Sequence, residues 1–372
     1  MNTPEVIQRN FFRLLRCGAF GEKEPIEPLS AWKWKRIHQL SLMHGVGAIV
    51  ADGIKMCEDD FFMQLPDGQS GAWLRTTQKT EEYNAEINAR LAELLDMFNR
   101  SHLRPMLFKG QSLAGIYGTP EHRTATDIDI YFPYEAQAEK ADAWARDNGS
   151  DIDESDSYIL KYKWNGIKVE HHRQIQHLTN KFLNRRLQSF IDNETKCCDS
   201  SYTTINGVKI ETVSPTLCLL LIMIRIAKYI MNEGISMKQL TDLGMFLRKS
   251  GDKVDFVKLQ KWISSLQMQF MAQLEGALLI DLLRFDEDEI PFLNAKGDRN
   301  TDETTSDIFR INGSHTGEWF FTQGKHVFVR TSDSSAMIWH LRHSARYFRY
   351  WPMESITNFF TSFAHSLAHI EE

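Results

Sequence analysis

The chain has 372 residues, 42% of them hydrophobic and 25% charged, so it can bury a large core and does not have the composition of a disordered or collagen-like protein. Lys and Arg number 43 against 49 for Asp and Glu. The resulting charge of −6 argues against broad binding of nucleic acid or of an anionic membrane surface. The five cysteines lack metal-binding spacing, which favours reduced thiols in a cytoplasmic protein.

The segment near the N-terminus has the pattern of an amphipathic helix rather than of a signal peptide, since charged residues alternate with apolar ones over 3–17. The most apolar stretch, Leu217 to Met231, is interrupted by Arg225 and Lys228. Its uncharged part is too short to span a bilayer, so we expect a cytoplasmic protein without a membrane partner.

Changes in periodicity divide the chain into four predicted regions. In chain order they are a helical region 1–100, a mixed α/β core 101–213, a helical region 214–290 that closes a cleft, and a segment 291–372. This last segment is predicted to hold a mobile polar loop over 293–317, a hairpin over 319–330 and a C-terminal helix. The predicted fold class is therefore α+β.

The core region combines short strands with two hairpins. Met106–Phe108 and Ile128–Phe132 are short apolar runs typical of strands. Asn165-Gly166 and Asn206-Gly207 each separate two β-type runs, which is the strongest short sequence signal for a hairpin.

Two carboxylates carry the sharpest chemical signal. Asp127 and Asp129 alternate with Ile128 and Ile130, so a strand would project both acids from one face and bury both isoleucines. Oxygen ligands this close favour Mg²⁺, with Mn²⁺ as an alternative, and Mg²⁺ takes its remaining ligands from water and phosphate.

The Asp-x-Asp spacing alone is weak evidence of a functional site, because it recurs twice in polar surroundings where solvated acids need no function. These copies are Asp151-Ile152-Asp153, which we predict to lie in a turn, and Asp286-Glu287-Asp288. Only the copy at Asp127 follows a phosphate-binding pattern.

That pattern is a predicted strand, a glycine turn and a helical segment, with residues Lys109, Gly110, Gln111 and Ser112 at the turn. Backbone N–H groups at such a turn can cradle phosphate, Lys109 adds a positive charge and Ser112 adds a hydroxyl. Arg123, just before the acids, could neutralise a phosphate or brace a carboxylate.

A third acid is needed if two metal ions are to be held, and Glu170 is the candidate. Alternation places Lys168, Glu170 and His172 on one face of a strand, with Val169 towards the core. If this strand packs beside that of Asp127, the three carboxylates form one cluster.

The segments FKGQSLAGIY, RTATDIDIYF and KVEHH resemble uncharacterised bacterial nucleotidyltransferases of the DNA polymerase β-type superfamily, most strongly over Leu103 to Arg173. Four features depart from the usual pattern, and one is the long separation from Gly110 to Asp127. The Gly-Ser pair of the wider superfamily is Gly110-Gln111-Ser112 here, the third acid is Glu170 rather than Asp, and a histidine expected on the downstream helix is replaced by Arg225 or a neighbour.

The resemblance implies a polymerase β-type core that transfers a nucleoside monophosphate from a nucleoside triphosphate to a hydroxyl acceptor. The acceptor would be a small molecule, a protein or RNA. Asp127, Asp129 and Glu170 would hold two metal ions, one activating the acceptor and one neutralising the leaving triphosphate. The turn from Lys109 to Ser112 would cradle the triphosphate. The alternative is a nucleotide-binding or interaction module that keeps the fold without turnover.

Two further sets of residues leave alternatives open. His172 shares the face of Glu170 and is expected to hydrogen-bond a metal ligand rather than bind the ion; the case for His171 is weaker. Arg225 and Lys228 either pack their stems and extend their heads to water, or line the cleft and bind triphosphate. A C-terminal stripe with Arg342, Arg346 and Arg349 on one helix face, interleaved with aromatic residues, could contact RNA, but the net charge favours a solvated helix face.

Overall fold

The computed structural model describes residues 5–197, 201–232, 234–294, 300–309 and 346–368. Their strands form one mixed seven-stranded sheet in the order β3-β4-β5-β2-β1-β7-β6. The strands are β1 (Met106–Leu107), β2 (Ile128–Tyr131), β3 (Ser150–Asp156), β4 (Ile159–Trp164), β5 (Ile167–His172), β6 (Ser201–Ile205) and β7 (Val208–Thr212).

Helices precede, interrupt and follow the sheet, which confirms the predicted α+β class. They are α1 (Val6–Phe20), α2 (Ala31–Met43), α3 (Gly47–Met56), α4 (Ser70–Arg100), α5 (Gln111–Ala114), α6 (Glu135–Asn148), α7 (Lys181–Asp192), α8 (Pro215–Asn232), α9 (Met237–Ser250), α10 (Phe256–Ser265), α11 (Gln269–Leu283), α12 (Asp302–Phe309) and α13 (Pro352–Ala368). A 3₁₀ turn, Pro120–His122, leads into β2.

The two faces of the sheet bury different sets of side chains. Leu107, Ile128 and Ile130 pack in one apolar cluster with the C-terminal half of α4 and with α6. Met106 and Tyr131 belong to the larger cluster, which joins α1–α3 with α7–α11. Because strand side chains alternate, Asp129 faces the side of the sheet that carries α8 and α9.

Both predicted hairpins are present. β4 pairs antiparallel with β5, and β6 with β7, across two-residue turns in which Asn165 and Asn206 have positive φ angles of 48° and 49°. Positive φ at the first turn residue is what an Asn-Gly hairpin requires.

Two local predictions are wrong. Asp151-Ile152-Asp153 lies in β3 rather than in a turn, since the polar segment pairs through its backbone with β4 at the edge of the sheet. Helix α12 falls inside the segment 293–317 that we expected to be a mobile loop, and Thr304 and Ile308 bury its inner side. The predicted hairpin at 319–330 lies outside the described residues, as does Arg342 of the basic stripe.

Helix α8 differs from expectation in one respect. By length and composition it could cross a membrane, although 72% of the relevant 18-residue window is buried inside the protein, as in a core helix. Arg225 and Lys228 interrupt its apolar sequence: Arg225 lies near Lys109, and Lys228 contacts His177 in the loop after β5. The boundaries of the four predicted regions stay predictions.

Candidate active site

The carboxylates meet on adjacent strands. β2 runs parallel to β5 with Asp129 directly opposite Glu170, and Asp127 precedes β2 on the same face as Asp129. Ile128 and Ile130 are buried towards the opposite side, as their alternation requires. The parallel pairing therefore brings Asp129 and Glu170 together, and Asp127 lies near enough for their charges to raise its pKa.

Two further polar groups contact the buried carboxylate of Asp129, whose side chain is 1% exposed. Lys109 Nζ forms an ion pair with Asp129 Oδ1 and lies 3.8 Å from Glu170 Oε2. His172 Nε2 lies 2.9 Å from the same Oδ1 and 3.3 Å from Glu170 Oε2. Lys109 and His172 thus bridge the two strands from one side of the cluster.

The electrostatic environment shifts the pKa values of Asp127 and Asp129 in opposite directions. Burial, together with the charges of Asp129 and Glu170, raises the pKa of Asp127 above its ordinary value. Burial also opposes ionisation of Asp129, but Lys109 and His172 hold the pKa of that carboxyl well below its usual range. Burial and Arg225 oppose the charged form of Lys109, but Asp129, Asp127 and Glu170 together raise its pKa.

The donor set fits a divalent cation. Asp129, Glu170 and His172 each offer a ligand atom, and these atoms lie within 4.8 Å of one another. Asp127 is not one of these three residues, but besides burial the charges of Asp129 and Glu170 raise its pKa, and a hard cation relieves such repulsion. Oxygen ligands suit Mg²⁺. A metal ion is thus chemically compatible with this cluster.

The Lys-Gly turn has a backbone shape reserved for glycine. Gly110 has φ 62° and ψ −118°, and the position of its absent Cβ lies 3.7 Å from Asp129 Oδ2. The helix that follows, α5, has only four residues, so it supplies little helix dipole. The turn therefore brings backbone, rather than a long helix, against the acids.

The other residues of the turn point elsewhere. The buried Gln111 donates from Nε2 to Asn88 Oδ1 on α4, and Ser112 Oγ donates to the carbonyl oxygen of Lys109 at 3.2 Å. Gln111 thus ties the turn to α4, and Ser112 stabilises the backbone of the turn itself.

Arg123 is 1% exposed and ties three elements together. Its Nε and Nη2 donate to the two oxygens of Asp242 on α9, each at 2.7 Å, and its Nη1 donates to the carbonyl of Gly110 at 2.8 Å. Tyr117 donates to Asp242 Oδ1 at 2.8 Å. Of the two roles predicted for Arg123, this arrangement fits the bracing of a carboxylate rather than the binding of a phosphate.

The two basic residues of α8, Arg225 and Lys228, differ in their contacts. Lys228 Nζ donates to the carbonyl of His177 at 3.2 Å. Arg225 lies near Lys109 and opposes the rise of the Lys109 pKa. Within the described part of the chain the Arg225 guanidinium has no hydrogen-bond or ion-pair partner. Arg225 is therefore the more available of the two predicted helix cations.

Sequence reasoning missed Lys238, at the start of α9. Its methylene stem lies on Gly45, 3.4 Å from the position of a Cβ there, and the ammonium has no partner among the residues that the structure describes. Burial, Arg123 and Arg225 lower the pKa of Lys238 to about 8. Its spacing of four residues before Asp242 was the available signal, because i and i+4 share a helix face.

His171 lies on the other face of β5. Its ring nitrogens are 3.2 Å from Asp142 and 3.0 Å from the Tyr162 hydroxyl, and burial lowers its pKa. His171 is thus separated from the carboxylate cluster by the sheet.

The mixed sheet, the acid cluster, the glycine turn and the flanking helices are the features of a nucleotidyltransferase core. The chain matches a family described as "Uncharacterised nucleotidyltransferase" over residues 30–282, more than half of its length. It belongs to this family, which confirms the resemblance found from the sequence motifs. No match to a curated protein or to a solved structure reached significance.

Proposed function

We propose that the protein transfers a nucleoside monophosphate from a nucleoside triphosphate to a hydroxyl acceptor in a Mg²⁺-dependent reaction. The pairing of Asp129 with Glu170 across parallel strands, beside Asp127 and the Lys109-Gly110 turn, carries this proposal. Membership of the family supports the same reaction class.

Asp127, Asp129 and Glu170 would hold the divalent cation, Mg²⁺ or Mn²⁺. When bound, the cation supplies Lewis-acid stabilisation of the charge that develops on the phosphate oxygens. His172 stays a hydrogen-bonding partner of Asp129 and fixes the orientation of that carboxylate.

In the proposed step the acceptor oxygen attacks the α-phosphorus, a new P–O bond forms, and the bond between the α-phosphorus and the bridging oxygen breaks. Pyrophosphate leaves with the electron pair of that bond. Glu170 accepts the proton of the acceptor hydroxyl, since its side chain is 18% exposed whereas that of Asp129 is 1% exposed.

Arg225 and Lys238 bind the triphosphate in this proposal. Both lie on the helical side of the cleft, and Arg225 contributes to lowering the pKa of Lys238. Among the described residues neither side chain has a carboxylate as a hydrogen-bond or ion-pair partner. Two neighbouring cations in a partly buried site are stabilised by an anion that touches both, and a triphosphate is such an anion.

A nucleotide-binding module without turnover is the second candidate. It is favoured by Arg225, which stands on α8 where the resemblance leads us to expect a histidine. A label-transfer experiment separates the two functions.

The test uses nucleoside triphosphates labelled at the α-phosphate, incubated with Mg²⁺ and with the small-molecule, protein or RNA fraction of a cell extract. We expect label to enter one fraction with an equal amount of pyrophosphate released, and Asp129→Asn to reduce transfer by at least about 100-fold. The double variant Asp151→Asn/Asp153→Asn is the matched control, because it alters the same spacing on the edge strand β3. Bound nucleotide with no transfer to any fraction would favour the binding module.

A further inference from the structure

His122 lies between two carboxylates that belong to different helices. Its Nδ1 lies 2.7 Å from Asp52 Oδ2 on α3, and its Nε2 lies 2.8 Å from Glu81 Oε1 on α4. The imidazole side chain is 10% exposed, whereas those of Asp52 and Glu81 are 28% and 46% exposed. Both nitrogens of this nearly buried ring thus contact an acid.

These two contacts determine the protonation of the ring. A carboxylate accepts hydrogen bonds and donates none, so a ring that is hydrogen-bonded to two carboxylates carries a proton on each nitrogen. A neutral imidazole has a single N–H and would place a lone pair against the second carboxylate. The hydrogen bond to Asp52 raises the pKa of His122 and the bond to Glu81 adds to the rise, while burial opposes both. The geometry therefore favours the imidazolium form.

The 3₁₀ turn that ends at His122 has further contacts with α4. Asn84 Nδ2 donates to the carbonyl oxygens of Glu121 and Arg123, at 2.6 and 3.0 Å, so the backbone is held on both sides of the ring. The Glu121 side chain is exposed. His122 adds α3 to this arrangement through Asp52, and its ring thereby connects the turn to two helices.

Arg123, the next residue, connects this turn to the candidate active site. Its Nη1 donates to the Gly110 carbonyl oxygen at 2.8 Å, and its Nε and Nη2 donate to Asp242. The Cβ position of Gly110 lies 3.7 Å from Asp129 Oδ2, so the Lys-Gly turn that Arg123 holds lies directly beside that acid. A displacement of the backbone at His122 would therefore reach the site through a single residue.

We propose that His122 is a positioning residue for nucleotide binding, whose imidazolium holds segment 120–123 against α3 and α4 and so keeps Arg123 in contact with the Lys-Gly turn. This proposal rests on the proposed function, because the ligand is the nucleoside triphosphate. When the ring loses a proton, one hydrogen bond is replaced by a lone pair that faces a carboxylate.

The sign of the pH dependence follows from the direction of the pKa shift. The bridge is complete below the ordinary histidine pKa of about 6.5. It is lost as the pH rises through the raised pKa of His122. The affinity of the site for nucleotide should fall over the same range.

The first test follows the side-chain ¹⁵N resonances of His122, assigned with His122→Gln, between about pH 5 and pH 9 and without nucleotide. We expect the ring to titrate above the ordinary histidine pKa, and Asp52→Asn and Glu81→Gln each to lower the midpoint. Glu82→Gln is the matched control, because it makes the same change one residue along α4 on an exposed side chain, and it should leave the midpoint unchanged. A midpoint at or below the ordinary value would overturn the proposal.

The second test compares the Kd of the Mg²⁺ complex of the tightest-binding nucleoside triphosphate for the wild type and His122→Gln over the same pH range. Glutamine is neutral and keeps an N–H donor, as the neutral ring does. We expect the variant to bind about 10-fold more weakly at the acidic end, and the two values to converge at the basic end. Lys238, whose pKa is about 8, loses its charge in both proteins, so the ratio of the two Kd values isolates His122.

Equal affinities at the acidic end, or a ratio that is constant with pH, would overturn the positioning role. If His122→Gln does not fold, Asp52→Asn replaces it in the same comparison, because it removes the first of the two contacts. No nucleotide binding by the wild type at any pH would contradict the proposed function, and the positioning role would fall with it. A raised midpoint in the ¹⁵N titration would then still support the bridge itself.

Discussion

Arg123 joins two halves of the cleft that are 119 residues apart along the chain. It pairs with Asp242 on α9 through two hydrogen bonds of 2.7 Å and holds the Gly110 carbonyl through a third of 2.8 Å. A buried ion pair of this kind is not strong evidence of net stabilisation, but loss of one partner leaves the other charge unpaired. The bridge therefore couples the position of the Lys-Gly turn to that of α9.

This bridge predicts a large and non-additive effect on stability. Arg123→Met and Asp242→Asn should each lower the free energy of unfolding by about 3–5 kcal/mol, and the double variant by less than their sum. Urea denaturation measures these values. Arg100→Met removes an exposed pair with Asp96 and should cost less than about 1 kcal/mol. If Arg123→Met costs no more than Arg100→Met, the bridge does not hold the turn.

Residues of the site differ in how far the sequence could place them. Asp127, Asp129 and Glu170 share one face because alternation in a strand is a local rule, and only the pairing of β2 with β5 had to be guessed. The contacts of Arg123 and Lys238 depend on the packing of α9 against the sheet. No local pattern encodes that packing, so the roles of these two residues required the structure.

At the scale of elements, α1 and α3 pack with their backbones in close contact. A Cβ at Gly53 would collide with the carbonyl oxygen of Leu14, and one at Gly18 with that of Ile49. The two helices thus touch backbone to backbone, inside the cluster that also contains α8 and α9. In both cases the Cβ would meet a main-chain atom, and the main chain cannot move aside as the end of a flexible side chain can.

Gly53→Ala should therefore lower the free energy of unfolding by at least about 1–3 kcal/mol, the usual cost of overpacking. Gly251→Ala is the matched control, because nothing lies within 4 Å of its Cβ position and its φ of −61° suits any residue. That variant should stay within about 1 kcal/mol of the wild type. Equal melting curves for the two variants would contradict the proposed close contact.

Elements with a hydrophobic period were predictable, whereas polar ones were not. The Asn-Gly hairpins and helices α8–α11 follow patterns of apolar residues and turn residues. β3 has the sequence SDIDESD and pairs through its backbone with β4, so its side chains carry no strand signal. Charged side chains on such an edge also discourage pairing with another chain.

At the scale of the whole molecule, the helices and the sheet share one large apolar cluster. Residues of α1–α3, α7–α11 and one face of the sheet belong to it, so the helical walls of the cleft are part of the same core that supports the acids. This organisation brings Arg225 near Lys109 and Lys238 near Asp127. The acceptor is not encoded in any of these contacts, since function depends on the site rather than on the fold.

The central claim is that a nucleoside triphosphate and a divalent cation bind together at Asp127 and Asp129. The measurement that tests it most directly is the melting temperature with Mg²⁺ and each of ATP, GTP, CTP and UTP, for the wild type and for Asp127→Ala/Asp129→Ala. We predict that at least one nucleotide raises the melting temperature of the wild type only when Mg²⁺ is present, and that the double variant shows no such rise. An equal rise in the double variant, or none in the wild type with any nucleotide, would contradict the account.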